Sequence, residues 1–224
     1  MIAPLACVIP ALDAEATLAA VVRGLRVALP GATIIAVDDG SRDGTRRVAA
    51  ELCDHVVAFD ENRGKGAALR AGFAEALAGD AAAVLTIDAD GQHDPSAAPA
   101  LAAALDSADL VIGTRARTST AMPIHRRVSN AFSSAAISRC AGCALPDAQS
   151  GYRAIRAVVL RTVRPLGDRY EYETDLLIRA ARAGFRISCV PVATIYGAPS
   201  HFREFRDAVR VLHTIWRHRR EAFR

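Results

Sequence analysis

The stretch "TIDADGQHDP", Thr86 to Pro95, sets three aspartates, an amide and a histidine directly after the apolar run "AVLTI". Side chains on an extended segment alternate with period two, so the carboxylates of Asp88 and Asp90 are expected on one side, with Gln92 following them there. Such a set of oxygen donors suits Mg2+ or Mn2+, and Mg2+ usually keeps coordination positions open for phosphate oxygens. A cation held there neutralises charge on a departing diphosphate. Asp90 is expected as the firmest ligand, followed by Asp88 and Gln92, whereas His93 and Asp94 read as structural.

Other residues offer complementary chemistry. Arg115 and Arg117, with Arg126 and Arg127, supply guanidinium groups, which stay charged and bind phosphate oxygens two at a time. "NRGKG", Asn62 to Gly66, has neither Walker A nor G-x-G-x-x-G spacing, so it reads as a tight turn opening a helix whose N-terminus faces the crevice. Lys65 within it is the only lysine of the chain, a rarity that composition alone would explain. Asp147 is the candidate general base if the acceptor is a hydroxyl; otherwise it reads as a turn aspartate. "CAGC", Cys140 to Cys143, has no second Cys or His pair with ligand spacing to complete a zinc site.

The elements that must position these groups follow from hydrophobic periodicity. "LACVI" (Leu5 to Ile9), "TIIAV" (Thr33 to Val37), "HVVAF" (His55 to Phe59), "AVLTI" (Ala83 to Ile87) and "LVIG" (Leu110 to Gly113) read as buried strands. Helical spacing predicts helices over Glu15 to Leu29, Thr45 to Leu52, Gly66 to Ala78 and Pro95 to Leu105. This alternation predicts an α/β fold, a mostly parallel sheet with helices on both faces. Ligands of such sheets bind beyond the carboxyl ends of the strands. The turns at that edge read "PALDAE", "DDGSRDGT", "DENRGKG", "DADGQHD" and "TRART". The second half is less regular: a helix over Ala121 to Ala141, a loop entering a strand over Asp147 to Ile155, a helix over Glu173 to Ala183, and a last strand from Arg186 to Val192. Pro191 cannot donate to a ladder, so that strand is expected at an edge.

Composition narrows the function classes. With 28 Lys and Arg against 24 Asp and Glu, the net charge is only +4 and the arginines are dispersed along the chain, which gives nucleic-acid binding little support. Five cysteines without framework spacing imply a reducing compartment. "MIAPLACVIP" lacks a basic region and a cleavage pattern, and no uncharged apolar run reaches the ~18 residues of a membrane span, so a cytoplasmic protein is expected.

"VIPALDAE", "VDDGSRDGT", "NRGKGAALRAGF", "DADGQHDP", "VIGTR" and "SGYRAI", in this order, resemble family 2 glycosyltransferases of the GT-A (Rossmann-like) fold. Within that family they look most like polyprenyl-phosphate sugar transferases related to dolichol-phosphate mannose synthase. The resemblance runs from about Leu5 to Tyr196. It implies a nucleotide site at Pro10, Leu12, Glu15, Asp38 and Asp39, joined by Lys65 and Asp88, and a metal and diphosphate site at Asp88, Asp90 and Gln92. It also implies phosphate contacts from Arg115 and Arg127, which with Asp90 and Asp147 form the candidate catalytic set. "PALDAE" departs from the "PAYNEE" common in the family, leaving GDP and UDP donors both open. The implied activity is an inverting, metal-dependent sugar transfer from a nucleotide diphosphate sugar to polyprenyl phosphate. A hydroxyl acceptor on a glycan or small molecule, and a sugar-nucleotide-binding protein without turnover, are the alternatives.

The tail "HFREFRDAVRVLHTIWRHRREAFR", His201 to Arg224, places Phe202, Phe205, Val209, Leu212 and Trp216 at helical spacing among arginines. It reads as a basic amphipathic helix suited either to an anionic membrane interface or to docking on the domain or on another subunit. The expected organisation is therefore a catalytic domain over residues 1–200 and this helix over 201–224. A peripheral position at the inner face of the cell membrane is expected for a lipid acceptor, with a homo-oligomer possible and no nucleic-acid partner.

Overall fold

The structure, a computed structural model, describes residues 2–115, 124–193 and 212–218, with the side chains of 124–129 left outside the description. Seven strands form one sheet: β1 (Leu5–Ala11), β2 (Thr33–Asp38), β3 (His55–Ala58), β4 (Ala83–Thr86), β5 (Leu110–Arg115), β6 (Arg153–Arg156) and β7 (Ile187–Val192), in the order β3-β2-β1-β4-β6-β5-β7. Six of the strands share one direction, and β6 runs antiparallel to both its neighbours, β4 and β5. β7 is an edge strand, as Pro191 within it leads one to expect.

Alternation along the strands builds two cores. Cys7 and Ile9 of β1, Ile34 and Ala36 of β2 and Leu85 of β4 join one cluster, while Ala6, Val8, Ile35, Val37 and Val84 join the other. Three helices cover the first face: α1 (Glu15–Ala28), α2 (Thr45–Leu52) and α4 (Ala98–Ala104). The second face is covered by α3 (Lys65–Ala78), α5 (Ile124–Ala141), α6 (Ala157–Thr162) and α7 (Glu171–Arg182). In α1 the buried residues are Leu18, Val21, Val22 and Leu25, the i, i+3, i+4, i+7 stripe of a helix with one apolar face. Fully burying one such Leu contributes about 2 kcal/mol, so the stripe fixes which way α1 faces.

Four elements differ from the sequence reading. The helix expected from Pro95 begins as a 3₁₀ turn, Pro95–Ala97, capped by Asp94 accepting from the Ser96 N–H at 2.8 Å; α4 follows it. α6 was not anticipated, because "AVVLRT" is too short to show a helical period. β3 is only half-buried, being an edge strand rather than an internal one. The segment Asp88 to Asp90 is not extended: β4 ends at Thr86, and the chain turns through Ala89, Asp90 and Gly91, the last with φ +71°. The same-side argument for Asp88, Asp90 and Gln92 therefore does not apply in that form.

Residues 212–218 are helical and pack on the second face through Thr214, Ile215 and His218. Asp175 of α7, fully buried, accepts from His218 Nε2 at 2.5 Å, Arg217 at 2.6 Å, Arg179 Nε at 2.7 Å and the Leu166 N–H at 2.7 Å. Arg182 meets His218 Nδ1 at 3.1 Å and its carbonyl at 2.8 Å. Leu212 and Trp216 remain about half exposed. Docking and exposure thus occur on two sides of one segment. Phe202, Phe205 and Val209 lie outside the described residues.

Candidate active site

The carboxyl edge of the sheet gathers the acidic and basic turns. β4 delivers Asp88, and the reversed β6 returns the preceding "SGY" loop to the same end, since Thr86 of β4 pairs with Arg153 of β6. Thr86 Oγ1 donates to the Gly151 carbonyl at 2.8 Å, which fixes that loop beside Asp88. A Cβ on Gly151 would stand 2.5 Å from Asp88 Oδ2 and 2.7 Å from Lys65 Nζ, so only glycine admits this approach.

Lys65 opens α3 after Gly64, whose φ of +103° only glycine adopts without strain. Its ammonium lies 2.7 Å from Asp88 Oδ1 and 2.9 Å from Glu173 Oε2, with the Tyr170 ring centroid 5.7 Å away. Burial alone would lower the Lys65 pKa, but Asp88 and Glu173 hold it above the usual lysine range, so the group stays charged. Burial would likewise raise Asp88, and Lys65 outweighs it, keeping the carboxylate ionised. Asp90 Oδ1 accepts from the Gln92 N–H at 3.0 Å, closing the turn. Thr17 of α1 donates to the Ala89 carbonyl at 2.6 Å and fastens the turn from the other side.

The candidate nucleotide loops are tied by the same carboxylates expected to bind ligand. Asp38 accepts from the Ser41 N–H at 3.0 Å and Arg46 Nε at 2.9 Å. Asp39 accepts from the N–H groups of Arg63 and Gly64, at 2.7 and 2.9 Å; burial raises its pKa despite those two donors. Glu15 accepts from the Gly44 N–H at 2.9 Å and pairs with Arg47 at 3.2 Å. Asp13 joins the first loop to the second through Arg42 N–H at 2.8 Å. Pro10 lies buried in β1, and Leu12 is half-buried just after it.

At the end of β5, Arg115 is gripped by Asp147: Nε to Oδ2 and Nη2 to Oδ1 are both 2.8 Å, and the Arg115 N–H reaches Oδ2 at 3.1 Å. Burial would raise the Asp147 pKa, but Arg115 holds it below the ordinary carboxylate range. The general-base reading of Asp147 meets this obstacle: both oxygens are engaged and the group is a weakened base. His93 is buried against the Tyr152 ring, centroids 5.2 Å apart, and Nδ1 finds no partner among the described residues. Burial pushes its pKa down to about 4, so it is neutral near pH 7. Arg127 lies on α5 with its side chain outside the description, as is Arg126; Arg117 is outside the described residues altogether.

Glu173, Gly151 and Arg153 were missed as site-builders. Buried Arg153 donates to the carbonyls of Ser150, Ala148 and Glu173 at 2.8 to 3.1 Å, bracing the "SGY" loop against α7. "SGYR" carried a visible signal; Glu173 did not, because a glutamate early in a helix ordinarily needs no ligand to explain it.

The residues fit a divalent cation by donor chemistry: two carboxylates and an amide lie on one turn, and Asp88 is kept ionised. Among the described residues no three His, Cys, Asp or Glu groups converge on one point, so a cation here would rely on ligand oxygens as well.

Residues 6–164 match the family described as Glycosyl transferase family 2. The undecaprenyl-phosphate mannosyltransferase of Micrococcus luteus is 35% identical over 182 residues, 76% of this chain and 75% of that protein. The UDP-N-acetylglucosamine–dolichyl-phosphate N-acetylglucosaminyltransferase of Methanococcus voltae is 31% identical over 187 residues, 73% of this chain and 74% of that one. Among solved structures, Mycobacterium tuberculosis glucosyl-3-phosphoglycerate synthase in complex with Mn2+, UDP and glucosyl-3-phosphoglycerate is similar with a TM-score of 0.76 and 24% identity. That likeness covers 96% of this chain and 79% of the other and shows a shared fold.

Proposed function

The chain belongs to glycosyl transferase family 2 and is an enzyme of that class, and from that premise we infer that it transfers a sugar from a nucleotide diphosphate sugar to polyprenyl phosphate. The observation that carries this reading is the pairing of Lys65 with Asp88 beside Asp90, at the sheet edge that also holds the Arg115 and Asp147 pair. One side of this edge suits a cation and a diphosphate; the other suits a phosphate acceptor.

Asp88, Asp90 and Gln92 would hold Mg2+ or Mn2+, which supplies charge neutralisation at the leaving diphosphate. Pro10, Leu12, Glu15, Asp38 and Asp39 shape the nucleotide pocket, the carboxylates acting by fixing loops, with GDP and UDP donors both compatible. Lys65 faces the diphosphate. Arg115, oriented by Asp147, and Arg127 meet phosphate oxygens of the acceptor. A lipid phosphate is already anionic and attacks C1 without a general base, with inversion expected; this agrees with an Asp147 whose oxygens are engaged. Residues 1–200 are the catalytic domain in this reading.

A lipid acceptor requires contact with the bilayer. Among the described residues no helix is long and apolar enough to cross a membrane. The exposed Leu212 and Trp216 of the C-terminal helix are the proposed contact, consistent with a peripheral position at the inner face of the membrane.

The test uses the purified chain, a panel of GDP- and UDP-sugars, and Mn2+ or Mg2+, with nucleoside diphosphate release measured with and without polyprenyl phosphate. EDTA-sensitive release stimulated by the lipid is expected. Release indifferent to lipid but stimulated by a soluble hydroxyl compound would overturn the acceptor assignment.

A further inference from the structure

Glu173 lies in none of the motifs that define the edge, yet its side chain is only 9% exposed and its carboxylate stands 2.9 Å from the one lysine of the chain. We propose that Glu173 is a positioning residue of the donor site, holding the Lys65 ammonium when Asp88 turns to a divalent cation. This rests on the assignment of Asp88 and Asp90 to the donor metal.

Four charged groups meet here: Lys65 and Arg153 against Asp88 and Glu173, with Arg153 Nη2 3.7 Å from Glu173 Oε1. The cluster is neutral by count. If Lys65 had Asp88 as its sole counter-charge, a cation taking Asp88 would strand a buried ammonium beside a dication, which is strongly unfavourable. Glu173 removes that obstacle, because an ammonium has three donors and already divides them between two carboxylates. Asp88 is then free to exchange partners while Lys65 stays charged and in place.

The choice of lysine follows from space. The chain uses arginine everywhere else, yet a Cβ on Gly151 would come 2.7 Å from Nζ, so the backbone of the "SGY" loop closes over this point. A compact ammonium fits between the two carboxylates, whereas a planar guanidinium fork needs more width.

The experiment titrates Mn2+ into the full chain in the presence of UDP and, separately, GDP, reading free Mn2+ by electron paramagnetic resonance. Glu173→Gln is expected to weaken Mn2+ binding at least tenfold, because Lys65 is then left with Asp88 as its sole counter-charge and competes with the ion for it. Glu173→Asp should fall between that variant and the wild type, and in a Lys65→Met background Glu173→Gln should have no further effect. The Gln variant keeps the backbone carbonyl that Arg153 Nη1 uses, so its fold is expected to persist. Wild-type Mn2+ affinity in both Glu173 variants, with Asp90→Asn losing the ion, would overturn the inference and leave the donor-site assignment standing. Full Mn2+ affinity in both Asp88→Asn and Asp90→Asn would remove the assignment and the inference together. A lowered melting temperature with unchanged Mn2+ affinity would assign Glu173 to stability alone and overturn its positioning role.

Discussion

Asp147 holds Arg115 through both carboxylate oxygens, each at 2.8 Å, and through the Arg115 backbone N–H at 3.1 Å. The pair is mostly shielded from water, with side-chain exposures of 19% and 10%. A fork fixed in this way presents its outer edge in one orientation, which is how a guanidinium gains selectivity for a phosphate.

Asp147→Ala should therefore loosen Arg115 and lower turnover about a hundredfold, the scale of a misplaced catalytic contact. Stability should fall by about 3 kcal/mol, since a largely buried charge loses its partner. Arg115→Lys should lose turnover comparably, because one ammonium cannot take both oxygens. Urea melts and steady-state kinetics check both. Disappearance of an acidic limb from the pH profile of kcat/KM in Asp147→Asn would instead restore Asp147 as a general base.

Gly151→Ala should leave the fold nearly intact while disabling the site. The atoms its Cβ would meet, Asp88 Oδ2 and Lys65 Nζ, are the ends of side chains that can swing away. The expected outcome is a native circular dichroism spectrum, a melting temperature within a few degrees of wild type, and at least tenfold weaker Mn2+ binding. Wild-type Mn2+ affinity would show that the close approach does not matter to the site.

Acid should release the C-terminal helix through Asp175. Burial favours its neutral form, yet His218, the Leu166 N–H and Arg179 bring its pKa down to about 2. An unfolded aspartate titrates at about 3.9, so the stabilisation is complete above that pH and is lost as pH falls toward about 2. The linked contribution is on the order of 2 kcal/mol. Urea melts from pH 7 downward should show this loss in the wild type, and Asp175→Asn should show a smaller one. Equal acid sensitivity in the two proteins would exclude Asp175 as its source.

Leu212 and Trp216 should govern membrane affinity without governing folding, because both are about half exposed whereas Ile215 and His218 are buried. Paired Leu212→Ser and Trp216→Ser changes are expected to reduce binding to anionic phospholipid vesicles by tenfold or more in co-sedimentation. The melting temperature should stay unchanged. Vesicle binding equal to wild type would move the membrane contact elsewhere.

Local chemistry made much of this molecule readable from its sequence. Strands from "LACVI" to "LVIG" follow from short apolar runs bounded by Pro, Gly or Asp, and the helices between them from an apolar period near 3.6; both signals act within one element. The acidic turn at Asp88 to Asp90 and the edge position of the strand carrying Pro191 were legible for the same reason. Pairings between distant segments were not, because they depend on how strands are ordered in space. Nothing in "RAI" reveals that β6 runs antiparallel between β4 and β5, yet that reversal brings Gly151 against Asp88. A sequence separation of 108 residues, Lys65 to Glu173, likewise hides an ion pair of 2.9 Å. The sequence determined which groups reach the carboxyl edge of the sheet. Tertiary structure decided which carboxylate faces which cation, because charge pairing falls off with distance and only the closed fold sets those distances.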